Sequence, residues 1–409
     1  MQIGNKPELL SPAGNFEKLK AAVRFGADAV YLAAKTFGMR SAADNFSEEE
    51  LPRAVKYAHA HGVRVYQTVN TMPRDEEYPA LRRTLLAAQA AGVDALIVSD
   101  LGVFMLAREL LPQMPLHVST QASVVSSAAA HAWVSLGAER IVLARELTLQ
   151  QIEQIVRQLG TRAQVECFVH GSMCISYSGR CLLSNYFTGR DGNRGACTQP
   201  CRWNYRIIEE KRPDDALGIE ENELGTFIMS AKDLCMIEHI PALCQAGITS
   251  FKIEGRMKSA YYTAVITNAY RMAIDRYFAD MQGYVFDPAW LRETESVSHR
   301  AYATGYFFER PQADAKTVET AGYLREKAYL CVVEAYDAKR GLALLRQKNK
   351  LCANTDVEWL TPGQPGRSLH LGAFYAMDGS SIDAAPHPNM YFYAQVPTLL
   401  YPGDILRGK

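Results

Sequence analysis

GADAVYLA, residues 26–33, states the rule by which this chain is built: a glycine, a short step, then an apolar run. The figure returns as GVRVYQTV at 62–69, GVDALIVS at 92–99, GAERIVLA at 137–144 and GITSFKIE at 247–254. Glycine accepts the left-handed conformation that ends a helix. The run that follows, rich in Val, Ile and Leu, suits a parallel strand covered on both faces. Segments 48–61, 80–91 and 148–159 carry apolar residues at three- and four-residue spacing and read as amphipathic helices. Three more strands, without the leading glycine, are expected at 8–10, 116–119 and 165–169. Strands near 8, 29, 63, 95, 116, 140, 165 and 250, alternating with helices, make the α/β pattern of a (β/α)8 TIM-like barrel. A doubly wound open sheet is the competing arrangement; the regular spacing and the count of eight favour closure.

One interval breaks the rhythm. About 80 residues separate the strand at 165–169 from the one at 250–254, where a βα unit needs roughly 30. The excess, residues 170–230, is a Cys-rich insertion at the C-terminal end of a strand, the face on which barrels carry their sites. The expected barrel with this insertion spans 1–275, and 276–325 reads as a connecting segment. From 326 to 409 short alternating strands such as AYLCVVEAYD, GLALLRQ, DVEWLTPG and MYFYAQV predict a small all-β, barrel-like C-terminal domain.

Composition narrows the class. The chain is 48% hydrophobic, and its 44 basic residues balance 44 acidic ones, so total charge gives no sign of a polyanion partner. The N-terminal stretch lacks an apolar signal region, and no run approaches the ~20 apolar residues of a membrane span. A soluble, cytoplasmic protein with no membrane partner is expected. Nine cysteines, an odd number, argue against a disulfide framework in that compartment.

Four of them form a constellation, Cys174-x6-Cys181-x15-Cys197-x3-Cys201. Four thiols within 28 residues, with glycines at 179, 189, 192 and 195 to turn the chain, can converge on one centre. Structural zinc prefers two short knuckles, and only the last pair resembles one. Iron–sulfur clusters accept irregular spacing. Iron–sulfur, zinc and unmetallated buried cysteines all remain open on spacing. Cys167, Cys244, Cys331 and Cys352 read as packing residues, and Cys235 is the candidate to replace one of the four ligands. HExxH, GxSxG and P-loop motifs are absent.

Other polar residues fall at strand ends. Candidates for catalysis are His170, Glu254 and Arg256. Candidates for substrate binding are Arg40, Asn45, Asn70, Gln121, Arg145 and Lys252. Lys252, Glu254 and Arg256 alternate and share one strand face, which in a barrel is the lumen. Buried charges there need partners, so the three are expected to pair with one another. They read either as a site for a small anion or RNA phosphate, or as an ion-pair layer closing the barrel. Arg40 and Asn45 lie in a loop expected to be solvated, and Ser47 with Glu50 forms a capping box. Tyr177, Tyr186, Phe187, Trp203 and Tyr205, with Arg190, Arg194 and Arg202, read either as an RNA-stacking segment or as a cover for the metal site.

The pattern Glu166-x-Phe168-x2-Gly171-Ser172-Met173-Cys174-x4-Gly179-x-Cys181-x-Leu183-Ser184 resembles the signature of the peptidase U32 family, the collagenase-like peptidases. ELLSPAGN at 8–15, SAKDL at 230–234, SFKIEGRMKS at 250–259, VSHRAYATGYF at 297–307 and LTPG at 360–363 extend the resemblance over nearly the whole chain. Within the family the likeness is to members acting in tRNA hydroxylation. It implies a barrel with a 4Fe–4S cluster on Cys174, Cys181, Cys197 and Cys201. It further implies formation of 5-hydroxyuridine at the wobble position of a tRNA anticodon loop, with prephenate as source of the hydroxyl. Relatives implied by the same resemblance modify a ribosomal cytidine or serve oxygen-independent quinone hydroxylation with a paralogous U32 subunit. Peptidase activity is the competing reading, and no protease constellation in the sequence supports it.

Overall fold

The structure, a computed structural model, describes residues 6–40, 44–174, 176–203, 231–308, 324 and 327–409. Its first sheet runs through β1 (Glu8–Pro12), β2 (Ala29–Ala33), β3 (Arg64–Val69), β4 (Ala95–Val98), β5 (Leu116–Val118), β6 (Arg140–Val142) and β7 (Gln164–Ser172), each parallel to the next. β8 (Asp233–Cys235) stands aside, antiparallel to the far end of β7. β9 (Ser250–Ile253) lies parallel to both β7 and β1 and closes the ring. The expected eight-stranded barrel is therefore the one observed, and closure through β9 excludes the open sheet.

Helices α1 (Phe16–Arg24), α2 (Glu50–His59), α3 (Tyr78–Ala91), α4 (Leu101–Leu110), α5 (Ser127–Ser135) and α6 (Leu149–Leu159) alternate with the first strands. After the insertion and its short α7 (Leu183–Thr188) come α8 (Ile240–Gln245), then α9 (Ala260–Ala279) and α10 (Pro288–Glu295). Local signals set their ends. Asn15 Oδ1 accepts from Lys18 N at 2.9 Å at the start of α1. Ser47 and Glu50 exchange the two bonds of the expected capping box. Gly92, at φ 78°, ends α3. Alternate strand residues face the two sides: Leu9, Val30, Val65 and Leu96 pack under the helices, while Leu10, Ala29, Tyr31, Tyr66, Ala95 and Ile97 fill the lumen.

The motifs at 8–15 and 250–259 sit far apart in the chain yet meet where the barrel closes, Leu10 opposite Lys252. Gly14 comes so near the Arg256 carbonyl that a Cβ there would lie 2.5 Å from it. The C-terminal sheet is antiparallel with its own core, including Val333, Leu345, Phe374, Phe392 and Leu406. The Leu360–Gly363 turn is tied to α9, Gly363 N donating to Asn268 Oδ1 at 2.8 Å. Buried Arg407 reaches Glu293 of α10 at 2.7 and 2.8 Å. No helix among the described residues is long and apolar enough to cross a membrane.

Candidate functional site

The lumen has two ends. At the N-terminal end of the strands, Arg140 Nη1 lies 2.6 Å from Glu8 and 2.9 Å from Glu166, and Lys252 Nζ lies 2.7 Å from the other Glu166 oxygen. Tyr66 and Ser250 donate to Glu8 at 2.6 and 3.0 Å. All four charged groups are buried and paired. Burial alone raises the Glu8 and Glu166 carboxyls; Arg140, with Lys252 at Glu166, outweighs it and holds both below the ordinary carboxylate value.

The opposite end opens into a cavity beneath the insertion. Cys174, Cys181, Cys197 and Cys201 all line it. So do Arg40, Asn70, Gln121, Arg145, Lys252, Glu254 and Arg256. Arg256 is 3% exposed; its Nη1 donates to Thr68 Oγ1 at 3.0 Å, while Nε and Nη2 have no hydrogen-bond partner among the described residues. Burial pulls its ordinary value down to about 10. Arg145 Nη1 donates to the Ser172 carbonyl at 2.9 Å and its Nε is also buried without a partner. Asn70 is braced between Met39 N (3.1 Å) and Ser119 Oγ (3.2 Å).

The thiols sense these cations and one another. Desolvation acts to raise Cys174, yet Arg145 and Arg40 hold it below the usual thiol value. Burial raises Cys201; Arg202 opposes this, and the thiols of Cys174, Cys197 and Cys181 push it up further. The four sulfurs are thus within electrostatic reach of each other. Among the described residues, no three His, Cys, Asp or Glu side chains are set around a point suited to a single metal ion. The loop carrying the first two cysteines is fastened to the strand ends. Ser178 N donates to Glu146 at 2.8 Å, and Gly179, at φ 74°, lies so close to Gln121 that a Cβ would meet its carbonyl at 2.3 Å.

Several expected placements differ. The ladder register shifts between Phe168 and His170, so Phe168 lies opposite lumenal Lys252 while His170 lies opposite Ile253. This bulge turns His170 outward. It is buried between the Tyr270 and Tyr302 hydroxyls, at 3.4 and 3.5 Å, and does not line the cavity. Burial lowers it to about 3, although Asp233 pulls the other way. Lys252, Glu254 and Arg256 do not pair with one another. β9 ends at Ile253, so Lys252 turns down to Glu166, Glu254 lies 4.0 Å from Arg40, and Arg256 turns to Thr68. Asn45 is buried, not solvated, and its Nδ2 donates to the Arg40 carbonyl at 3.3 Å. It braces the loop beside Arg40, anchored by buried Phe46, and does not reach the cavity. Cys235 is buried on β8 away from the cavity. Tyr205 lies outside the described residues.

Sequence reasoning missed Tyr31, Thr68, Ser119 and Phe168, which also line the cavity. Period-two counting back from Asn70 and Lys252 would have found Thr68 and its neighbours on the lumenal face. The paired cluster of Glu8, Arg140 and Glu166 was likewise unread.

The pattern of the family described as Peptidase family U32 matches residues 14–317, and that of the Peptidase family U32 C-terminal domain matches 325–407. The chain is 37% identical to tRNA hydroxylation protein P1 of Bacillus subtilis, covering 100% of this chain and 96% of that protein. It is 35% identical to tRNA hydroxylation protein P of Escherichia coli, covering 96% and 94%. A collagenase of Porphyromonas gingivalis is 34% identical over 83% of this chain and 82% of its own length.

Proposed function

The chain belongs to peptidase family U32, and from that premise we propose that it is an RNA-modifying enzyme acting in tRNA hydroxylation, converting the wobble uridine to 5-hydroxyuridine. The observation that carries this reading is the cavity itself, where four thiols and the guanidinium groups of Arg40, Arg145 and Arg256 line a common space at the C-terminal mouth of the barrel. The thiols of Cys174, Cys181, Cys197 and Cys201 suit a 4Fe–4S cluster. They share one cavity and act on each other's charge, and their irregular spacing is one that iron–sulfur clusters accept. When bound, such a cluster supplies one-electron chemistry.

The chain's own residues provide the rest. Arg256 and Arg145 present buried N–H groups without partners, a setting that favours a small carboxylate-bearing molecule such as prephenate. Arg40 stays cationic: burial works against it, but Glu254 and the nearby thiols outweigh that and raise it above its ordinary value. Phe168 and Tyr31 wall the apolar side.

Deleting the gene is expected to remove 5-hydroxyuridine derivatives from tRNA, read by nucleoside mass spectrometry; unchanged nucleosides end this reading. Anaerobic purification should yield iron and sulfide with visible absorption that Cys174→Ser abolishes. Peptidase activity, suggested by the family's name and the collagenase relative, finds less support. Among the described residues, no histidine lines the cavity to activate a thiol. Cleavage by metal-free protein, blocked by thiol reagents, would restore it. A stable complex with a paralogous subunit and no effect on tRNA would favour quinone hydroxylation instead.

A further inference from the structure

The insertion has an outer face as well as the inner one that lines the cavity. Tyr186 is 82% exposed, Leu182 70%, Phe187 45% and Trp203 41%. The rings are contiguous: Tyr186 and Phe187 stand edge-to-face with centroids 5.2 Å apart, and Phe187 and Trp203 are 6.2 Å apart. Large aromatic groups exposed together on one small lobe call for a partner. Charge selects which. From 176 to 203 the chain carries four arginines against one aspartate, in a protein whose net charge is zero. Arg194 is committed, bonding Glu77 and the Met72 carbonyl at 2.9 and 2.7 Å and bracing the lobe on the barrel rim. Arg180 and Arg190 are exposed, and their guanidinium groups have no partner among the described residues. The face adjoins the site directly, since Leu183, on the same helix as Tyr186 and Phe187, and Cys201, two residues before Trp203, line the cavity.

We propose that Tyr186, Phe187 and Trp203 form a stacking platform for unpaired RNA bases, with Arg180 and Arg190 meeting the phosphates, so that a single-stranded loop is laid across the lobe beside the cavity mouth. Aromatic faces take any base, and arginine supplies the backbone contact, the combination by which single strands are gripped. The inference rests on the RNA-modifying reading above and names the surface that reading requires.

The test uses full-length, anaerobically purified protein and two fluorescein-labelled RNAs, a hairpin with an unpaired loop and a duplex without one, followed by fluorescence anisotropy. The parent should prefer the hairpin. Tyr186→Ala and Trp203→Ala should each weaken hairpin binding about 5- to 150-fold, the range of one lost base stack. Tyr186→Phe should bind close to the parent, because the ring face remains. Arg190→Gln should reduce the slope of log affinity against log salt by about 0.7. Circular dichroism and thermal midpoint, unchanged in these surface variants, serve as folding controls. Hairpin affinity equal to the parent's in both alanine variants overturns the platform while leaving the RNA reading intact. A parent that binds neither RNA overturns the reading beneath it. Alanine variants with altered oligomeric state and intact RNA affinity would assign the face to a second copy of the chain and overturn the proposal.

Discussion

The two ends of the barrel lumen use the same residue types to opposite purpose. At one end Arg140 and Lys252 are held by Glu8 and Glu166, with Tyr66 and Ser250 completing the network. At the other, buried Arg256 and half-buried Arg145 keep buried N–H groups that nothing in the described chain accepts. A satisfied buried network fixes a structure; an unsatisfied one costs stability and persists where a ligand completes it. The difference teaches that burial of charge alone does not mark a site, whereas unmet hydrogen-bonding capacity beside an open cavity does.

The comparison can be broken most forcefully at the paired end. Arg140→Met removes the buried cation shared by two buried carboxylates, leaving Glu166 to Lys252 and Glu8 to Arg64, and should cost up to roughly 3–5 kcal/mol, read by urea unfolding. A loss under 1 kcal/mol would mean the network is not the structural element described. Next comes the bulge that separates lumen from exterior. At Gly171, φ 106°, an added Cβ would sit 2.3 Å from the Glu254 carbonyl, so Gly171→Ala should cost roughly 2–4 kcal/mol.

The pH dependence is smaller and has a definite sign. His170 folds with its value lowered from 6.5 to about 3, and His117 is lowered by burial and by Arg140. Below pH 6.5 the unfolded chain takes up protons that the folded one refuses. The stability His170 contributes is complete above 6.5 and is lost as pH falls toward 3, at up to ~1.4 kcal/mol per pH unit, and His117 acts in the same direction. Glu8 and Glu166, also lowered, add to the loss below 4.5. His170→Phe should flatten the slope between pH 6 and 4, measured by thermal midpoint against pH.

The smallest stability change belongs to the open end. Arg256→Met removes an incompletely bonded buried cation and should leave stability within ~1 kcal/mol of the parent, or above it. On the proposed function, 5-hydroxyuridine formation should fall roughly 100-fold. A stability loss comparable to that of Arg140→Met would erase the distinction between the two ends.

Much of this was legible in residues. Each glycine-led apolar run proved to be a strand, because a left-handed helix terminus and a doubly covered strand are both local demands. The capping box at Ser47 and Glu50 is equally local. Of the predicted site residues, the four cysteines, Arg40, Asn70, Gln121, Arg145, Lys252, Glu254 and Arg256 meet at one cavity. His170 failed because one extra residue in the β7 ladder reverses the facing of everything after it, and nothing in the spacing reports that. The pairing within Lys252, Glu254 and Arg256 failed because β9 stops at Ile253, ending the alternation on which it relied.

By itself the sequence determined the class of fold, the oversized interval after the seventh strand and the thiol quartet within it. These are carried by periodicity and spacing, which act over a few neighbouring residues. Only the tertiary structure decided which charges are satisfied and which are left open. That distinction depends on distances between groups such as Arg140 and Glu8, 132 residues apart in the chain, which come together only when the barrel closes.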